Sequence, residues 1–348
     1  MRRSILILAV ISLLAAGAVT AFLLTNADDD VVDQPEGAGS SSPEPPSPSL
    51  VFVEGTTLKQ IDPGIPPRTL LSGVPLTASA ADAGPWLSWV ETVDPKEPVL
   101  HLYNLETEEE TEIEGASVPT WNAAGDQVAV AMPQSGARCQ HDECKGDVVI
   151  AVLDPETGDE HVVLGGADEW LLKGWAGEDL LVATPENEEE TISRVTMDGE
   201  ITVLEVPSIE FSSASPDGEW LISSSPRGME LYSLDQDGAE YAETLGEREE
   251  QYVQADWSDD STEVAMVLQG QGGARVVTFQ ATDPEFIEVE GSDEAAGRIF
   301  WAPQGGLVLT RLDTERTVLE AVYCASNEDD DCEGLLEWSQ AVVVYKVV

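Results

Sequence analysis

Phe211-Ser212-Ser213-Ala214-Ser215-Pro216-Asp217-Gly218-Glu219-Trp220-Leu221-Ile222-Ser223 decides the fold of this chain. A short run ends in a small residue, a polar turn follows, and a β-rich strand resumes at Trp220. Each turn residue has a physical task. Pro216 fixes one φ, Asp217 can bond back to the backbone, and Gly218 takes the positive φ that joins two strands tightly. The same box recurs as Trp121-Asn122-Ala123-Ala124-Gly125-Asp126 before Val128–Val130 and as Trp257-Ser258-Asp259-Asp260-Ser261 before Val264–Val267. Further copies are Trp301-Ala302-Pro303-Gln304-Gly305-Gly306 before Leu307–Leu309 and Trp175-Ala176-Gly177-Glu178-Asp179 before Leu180–Val182. A worn copy runs from Ala80 to Gly84, ahead of Trp86–Trp89.

The anchors Ala80, Trp121, Trp175, Ala214, Trp257 and Trp301 lie at intervals of 41, 54, 39, 43 and 44 residues. A period of 40–45 with several short strands per unit is the signature of propeller blades. Within the unit after Trp121 the predicted strands are Val128–Met132, Val148–Leu153 and Glu160–Leu164; after Ala214 they are Trp220–Ser224, Met229–Leu234 and Tyr241–Leu245. Gly, Pro and Asp bound each run, as in antiparallel sheet. The Trp-Ser-Pro-Asp-Gly-like box with its following strand resembles the TolB-type, WD-repeat-like propeller repeat. The resemblance covers residues 50–348 and rests on six spaced copies. Several depart from the pattern: Trp175 lacks the Pro-Asp-Gly turn, and position 214 has Ala for Trp.

Leu50–Val53, Leu58–Ile61 and Thr69–Leu71 read as one more unit without its first strand, and the chain ends in an apolar strand, Ala341 to Val348. Such a strand should not be left as an open edge. The sequence therefore predicts an all-β propeller of seven blades, about 43 residues each, whose two ends share a closing blade. Six blades are the alternative.

Ahead of the propeller, Arg2 and Arg3 precede an apolar run from Ile5 to Leu24. Twenty residues at helical rise span about 30 Å, one bilayer core. Residues 1–27 are expected to be a signal-anchor, with a cleavable signal peptide as the competing reading and a loose fit to a twin-arginine signal. Residues 28–49, rich in Pro, Ser, Gly and acids, form a linker. The propeller, residues 50–348, is thereby expected outside the cytoplasm, tethered to the membrane or secreted.

Charge narrows the partners. The chain has 16 Lys+Arg against 67 Asp+Glu, a net charge of −51. Nucleic-acid surfaces need clustered bases to neutralise phosphates, so that class is set aside. Residues 50–348 carry 14 bases and 61 acids. Self-repulsion of that size is relieved by salt, which predicts adaptation to concentrated salt.

Cys139/Cys144 and Cys324/Cys332 form two close pairs in polar loops and are expected to be disulfides in an exported domain. The acidic runs at Glu108–Glu110, Glu188–Glu190 and Asn327–Asp331, and the turn Asp235–Gly238, lack the full ligand spacing of a calcium loop. His101, His141 and His161 stand near no nucleophile motif and are expected to be structural or solvated. No catalytic, cofactor-binding or metal-ligating set is therefore predicted. Trp121, Trp175, Trp257 and Trp301 are expected to pack between blades, leaving Trp86, Trp89, Trp170, Trp220 or Trp338 to line a site. The functional expectation is a protein- or peptide-binding scaffold rather than an enzyme. The alternatives are a propeller-type hydrolase or lyase and a small-ligand or cation sensor.

Overall fold

The computed structural model describes residues 48–75, 77–81, 83–94, 97–134, 138–140, 143–145, 148–165, 170–186, 189–208, 212–225, 228–235, 238–245, 251–270, 273–289, 295–302, 306–312, 319–324, 332–338 and 342–347. The predicted anchor and most of the linker lie outside the described residues, as do His141 and the acidic run Asn327–Asp331. No helix among the described residues is long and apolar enough to cross a membrane.

Alternating sequence makes strands, and turns every few residues make them antiparallel. Among the described residues there are seven four-stranded sheets and one two-stranded hairpin. Six sheets are consecutive blades with first strands Ser79–Ala80, Ser117–Trp121, Leu171–Ala176, Ser212–Ala214, Gln251–Trp257 and Ala295–Trp301. The seventh closes the ring: Val342–Val347 pairs antiparallel with Leu50–Glu54, with Val53 opposite Val343. Thr57–Ile61 and Arg68–Ser72 complete that sheet. The shared closing blade matches the expectation, and the six-blade alternative falls. Val148–Leu153 and Glu160–Leu164 are strands with the bounds that the sequence predicted.

The first strands of blades 1 and 2, 2 and 3, 3 and 4, and 5 and 6 touch, and Val342–Val347 meets those of both blade 6 and blade 1. Seven apolar clusters hold the disc together, each spanning one pair of neighbouring blades. Blades 2 and 3, for example, meet through Ile150, Val152, Leu172, Trp175 and Val182. Each such Leu, Ile or Val is worth about 1.5–3 kcal/mol when fully buried. Several outermost strands are acidic and mostly exposed, as in Glu110–Glu114, whose sequence is ETEIE, and Ala239–Leu245, whose sequence is AEYAETL. Charge along an open edge deters pairing with other chains.

The quoted turn behaves as its residues require. Gly218 has φ 74° and donates its N–H to the Ser215 carbonyl at 2.9 Å. Asp217 Oδ1 accepts from the Glu219 N–H at 3.0 Å and the Ser215 hydroxyl at 2.6 Å. In blade 5 the Ser258 hydroxyl donates to Asp260 Oδ1 at 2.8 Å and accepts the Glu263 N–H at 2.9 Å. Hydrogen bonds from the side chains of Thr262 and Ser258 hold the Asp260 carboxyl below its ordinary value. Neighbouring turns also touch: the Asp217 N–H donates to the Ser261 hydroxyl at 3.0 Å.

Candidate functional site

The first strands converge on an axial cavity of about 520 Å³. An innermost strand has one unpaired edge, so its backbone needs partners from elsewhere. Blade 5 supplies them to blade 6. Gln254 donates its side-chain amide to the Ile299 carbonyl at 3.1 Å and accepts the Ile299 N–H at 3.1 Å. Asp256 Oδ2 accepts the Trp301 N–H at 2.8 Å.

The anchor tryptophans follow a rule that only the closed ring reveals. In three of the four, the indole N–H reaches for the carbonyl just before the previous blade's anchor, directly or through a hydroxyl. Trp175 Nε1 donates to the Thr120 carbonyl at 3.0 Å, and Trp301 Nε1 to the Asp256 carbonyl at 3.2 Å. In blade 2 a hydroxyl relays the bond: Trp121 Nε1 donates to Ser88 Oγ at 3.0 Å, and Ser88 donates to the Ser79 carbonyl at 3.3 Å. Trp257 Nε1 is buried without a hydrogen-bond partner.

Ala214 has no indole to lay over blade 3. There the cavity reaches outward to Leu181, the one second-strand residue among its described lining. The charged lining residues are balanced, Lys173 and Arg298 against Asp256 and Asp259, in a chain where acids outnumber bases fourfold. Ser79, Ser212, Ser213 and Ser215 add small polar groups. The described lining contains no histidine, tyrosine or cysteine.

No protein-family model matches the chain, and no curated relative matches it. Solved structures do. A protein from Lactobacillus plantarum aligns over 86% of this chain and 98% of its own at 10% identity, with TM-score 0.56. The β-propeller domain of the Trilobed protease from Pyrococcus furiosus, described with an open velcro topology, aligns over 74% of this chain and 82% of its own at 16% identity, with TM-score 0.51. TolB from Acinetobacter baumannii aligns over 86% of this chain and 67% of its own at 14% identity, with TM-score 0.44.

The chain has the β-propeller fold.

Its predicted site residues are distributed unevenly. Pro216, Trp121, Trp175, Ala214 and Trp257 line the cavity, whereas Asp217 and Gly218 shape the turn beside it. The expectation for tryptophan is partly reversed, because three anchors face the cavity while Trp86 and Trp89 are buried in blade 1. Trp86 stacks on Trp121 at 6.4 Å between ring centroids. An anchor packs on the preceding blade and presents its other side to the axis, so both roles fall to one residue. Cys324 and Cys332 are cross-strand partners joined by a disulfide. Cys139 and Cys144 lie opposite each other in the hairpin Arg138–Gln140 and Glu143–Lys145, between the second and third strands of blade 2.

Lys173, Gln254 and Arg298 carry no motif, and sequence reasoning missed them. Their only signal is position, two or three residues ahead of an anchor. His161 Nε2 lies 2.8 Å from the Met197 carbonyl and is exposed, as expected of a solvated histidine. His101 is different and is taken up below.

Proposed function

We propose that this chain is an extracytoplasmic, membrane-tethered scaffold that binds an extended peptide segment of another protein in its axial cavity. The observation that carries the reading is the notch beside Ala214, where alanine stands in place of the tryptophan that Trp121, Trp175 and Trp257 supply to the same lining and the cavity reaches outward to Leu181. An apolar side chain of the ligand fills that notch against Leu181, while Lys173, Arg298 and the aspartates meet the ligand's backbone and charges. A small apolar recess with a few placed polar groups suits a ligand of this size. Tethering through residues 1–49 raises the local concentration of the cavity near a membrane partner.

The test is in-cell crosslinking of the full-length protein, followed by purification in high salt and mass spectrometry. A chain truncated after the linker serves as control. A stoichiometric partner is expected with the parent and with Lys346→Gln, and is expected to be lost with Ala214→Trp, which restores the repeat's own residue. No protein enriched over the control, or full capture by Ala214→Trp at an unchanged melting temperature, overturns the reading.

A further inference from the structure

His101 lies in Glu97–Asn104 of blade 1 and is not among the described lining of the axial cavity. Its register neighbours are Trp89 on one side and Glu112 on the other. Period-two alternation puts Glu91 and Glu110 on the same face as these two. The result is one imidazole, 7% exposed, among three carboxylates.

The geometry fixes the tautomer. His101 Nδ1 lies 2.8 Å from Glu110 Oε1. An ionised carboxylate only accepts, so Nδ1 carries the proton and donates it. Nε2 is then a lone pair. It is buried without a hydrogen-bond partner, and the nearest anionic atom is Glu91 Oε2 at 3.5 Å. Two electron-rich atoms facing each other repel unless a cation lies between them. A proton on Nε2 would draw the pair to about 2.7–2.9 Å. The observed gap instead matches the spacing of two ligands on a tetrahedral divalent ion, about 3.3–3.5 Å for bonds near 2.0–2.1 Å. Trp89 holds the ring in place, stacked at 5.0 Å with an interplanar angle of 4°.

We propose that His101 Nε2 and Glu91 ligate a divalent transition-metal ion of the zinc type. Glu110 orients the imidazole through Nδ1, and Glu112 lies on that same side of the ring, 3.9 Å from Nδ1. An imidazole bonded to a carboxylate through its other nitrogen is the usual arrangement around such ions. A nitrogen ligand selects zinc-like ions over calcium and magnesium, which take oxygen. Of the cations on the adjoining closing blade, Arg68 is engaged by Glu108 at 2.7 Å and by Gln60 at 2.9 Å, and Lys59 by Glu54.

The experiment takes the full chain, stripped with chelator, and titrates ZnCl₂ by calorimetry in about 0.5 M NaCl, where diffuse attraction to the acidic surface is screened. With three histidines in the chain, a long-range ¹H–¹⁵N spectrum resolves each ring. One equivalent of zinc is expected to move Nε2 of His101, and the same concentration of CaCl₂ to leave it in place. Glu91→Gln, at an exposed side chain, should weaken zinc at least tenfold with the fold intact. Glu110→Gln should weaken it about 10–100-fold by freeing the ring, and His161→Gln should change nothing. If zinc leaves the His101 resonances unmoved, or if Glu91→Gln and His101→Gln both bind as the parent does, the proposal is overturned.

Discussion

Gly125→Ala asks whether the blades are locked to each other at their turns. Gly125 has φ +69°, and a Cβ built there would sit 1.8 Å from the Ala83 carbonyl oxygen and 2.5 Å from its carbon. Backbone cannot swing aside as a side-chain tip can, so one turn must retreat by about 1.5 Å to reach ordinary contact. Gly55 is the matched control, with φ +67° and nothing within 4 Å of its Cβ. At Gly55 an alanine meets only the left-handed backbone, about 1–2 kcal/mol. The stiffer unfolded chain offsets about 0.4–1 of that, so Gly55→Ala should cost about 1 kcal/mol. Gly125→Ala carries the same backbone term plus about 1–3 kcal/mol of overpacking. Urea unfolding followed by tryptophan fluorescence, at one fixed high salt concentration, separates the two. Equal midpoints for the two variants would refute the turn-to-turn contact. Because Ala83, Ala123, Gly177 and Pro216 of these turns line the cavity, the Gly125 variant should also deform its rim.

Three further outcomes are expected. Ser88→Ala removes the hydroxyl that joins Trp121 Nε1 to the Ser79 carbonyl; leaving that N–H buried and unpaired should cost about 1–3 kcal/mol by urea unfolding. Cys324→Ser with Cys332→Ser opens a loop whose ends are eight residues apart and should lower stability by about 2–3 kcal/mol, whereas the parent should show that loss only under reductant. The melting temperature should rise from about 0.1 to 2 M KCl, over which the screening length falls from about 10 Å to below 3 Å; a flat or falling curve would dismiss salt adaptation.

Local pattern carried most of the fold. Val148–Leu153 was legible because a buried strand between an inner and an outer neighbour is a continuous apolar run, and Gly and Asp mark where it stops. Ser-Pro-Asp-Gly was legible because its hydrogen bonds close within six residues, from Ser215 to Trp220. The closing blade was legible as two half-patterns, three strands lacking a first and a last strand lacking a sheet. The cavity and the His101 cluster were not. Lys173 and Arg298 are 125 residues apart and meet only because the ring closes. Glu91, His101 and Glu112 come together only through a strand register that no spacing rule reports.

The two unread features share a cause that bears on how this surface can work. A net charge of −51 describes an average, and the fold divides it unevenly. Acids crowd the outer strand of blade 1, where Glu110, Glu112 and Glu114 face solvent or its margin, and charge of that kind keeps an edge from pairing. At the axis two bases oppose two acids. A ligand approaching the disc therefore meets a repulsive field if it is acidic and a non-selective attraction if it is basic, and both fade in salt. What remains at high ionic strength is the short-range fit of the notch at Ala214 and its balanced charges. Specificity of the cavity should thus be retained, or sharpened, as the salt concentration rises.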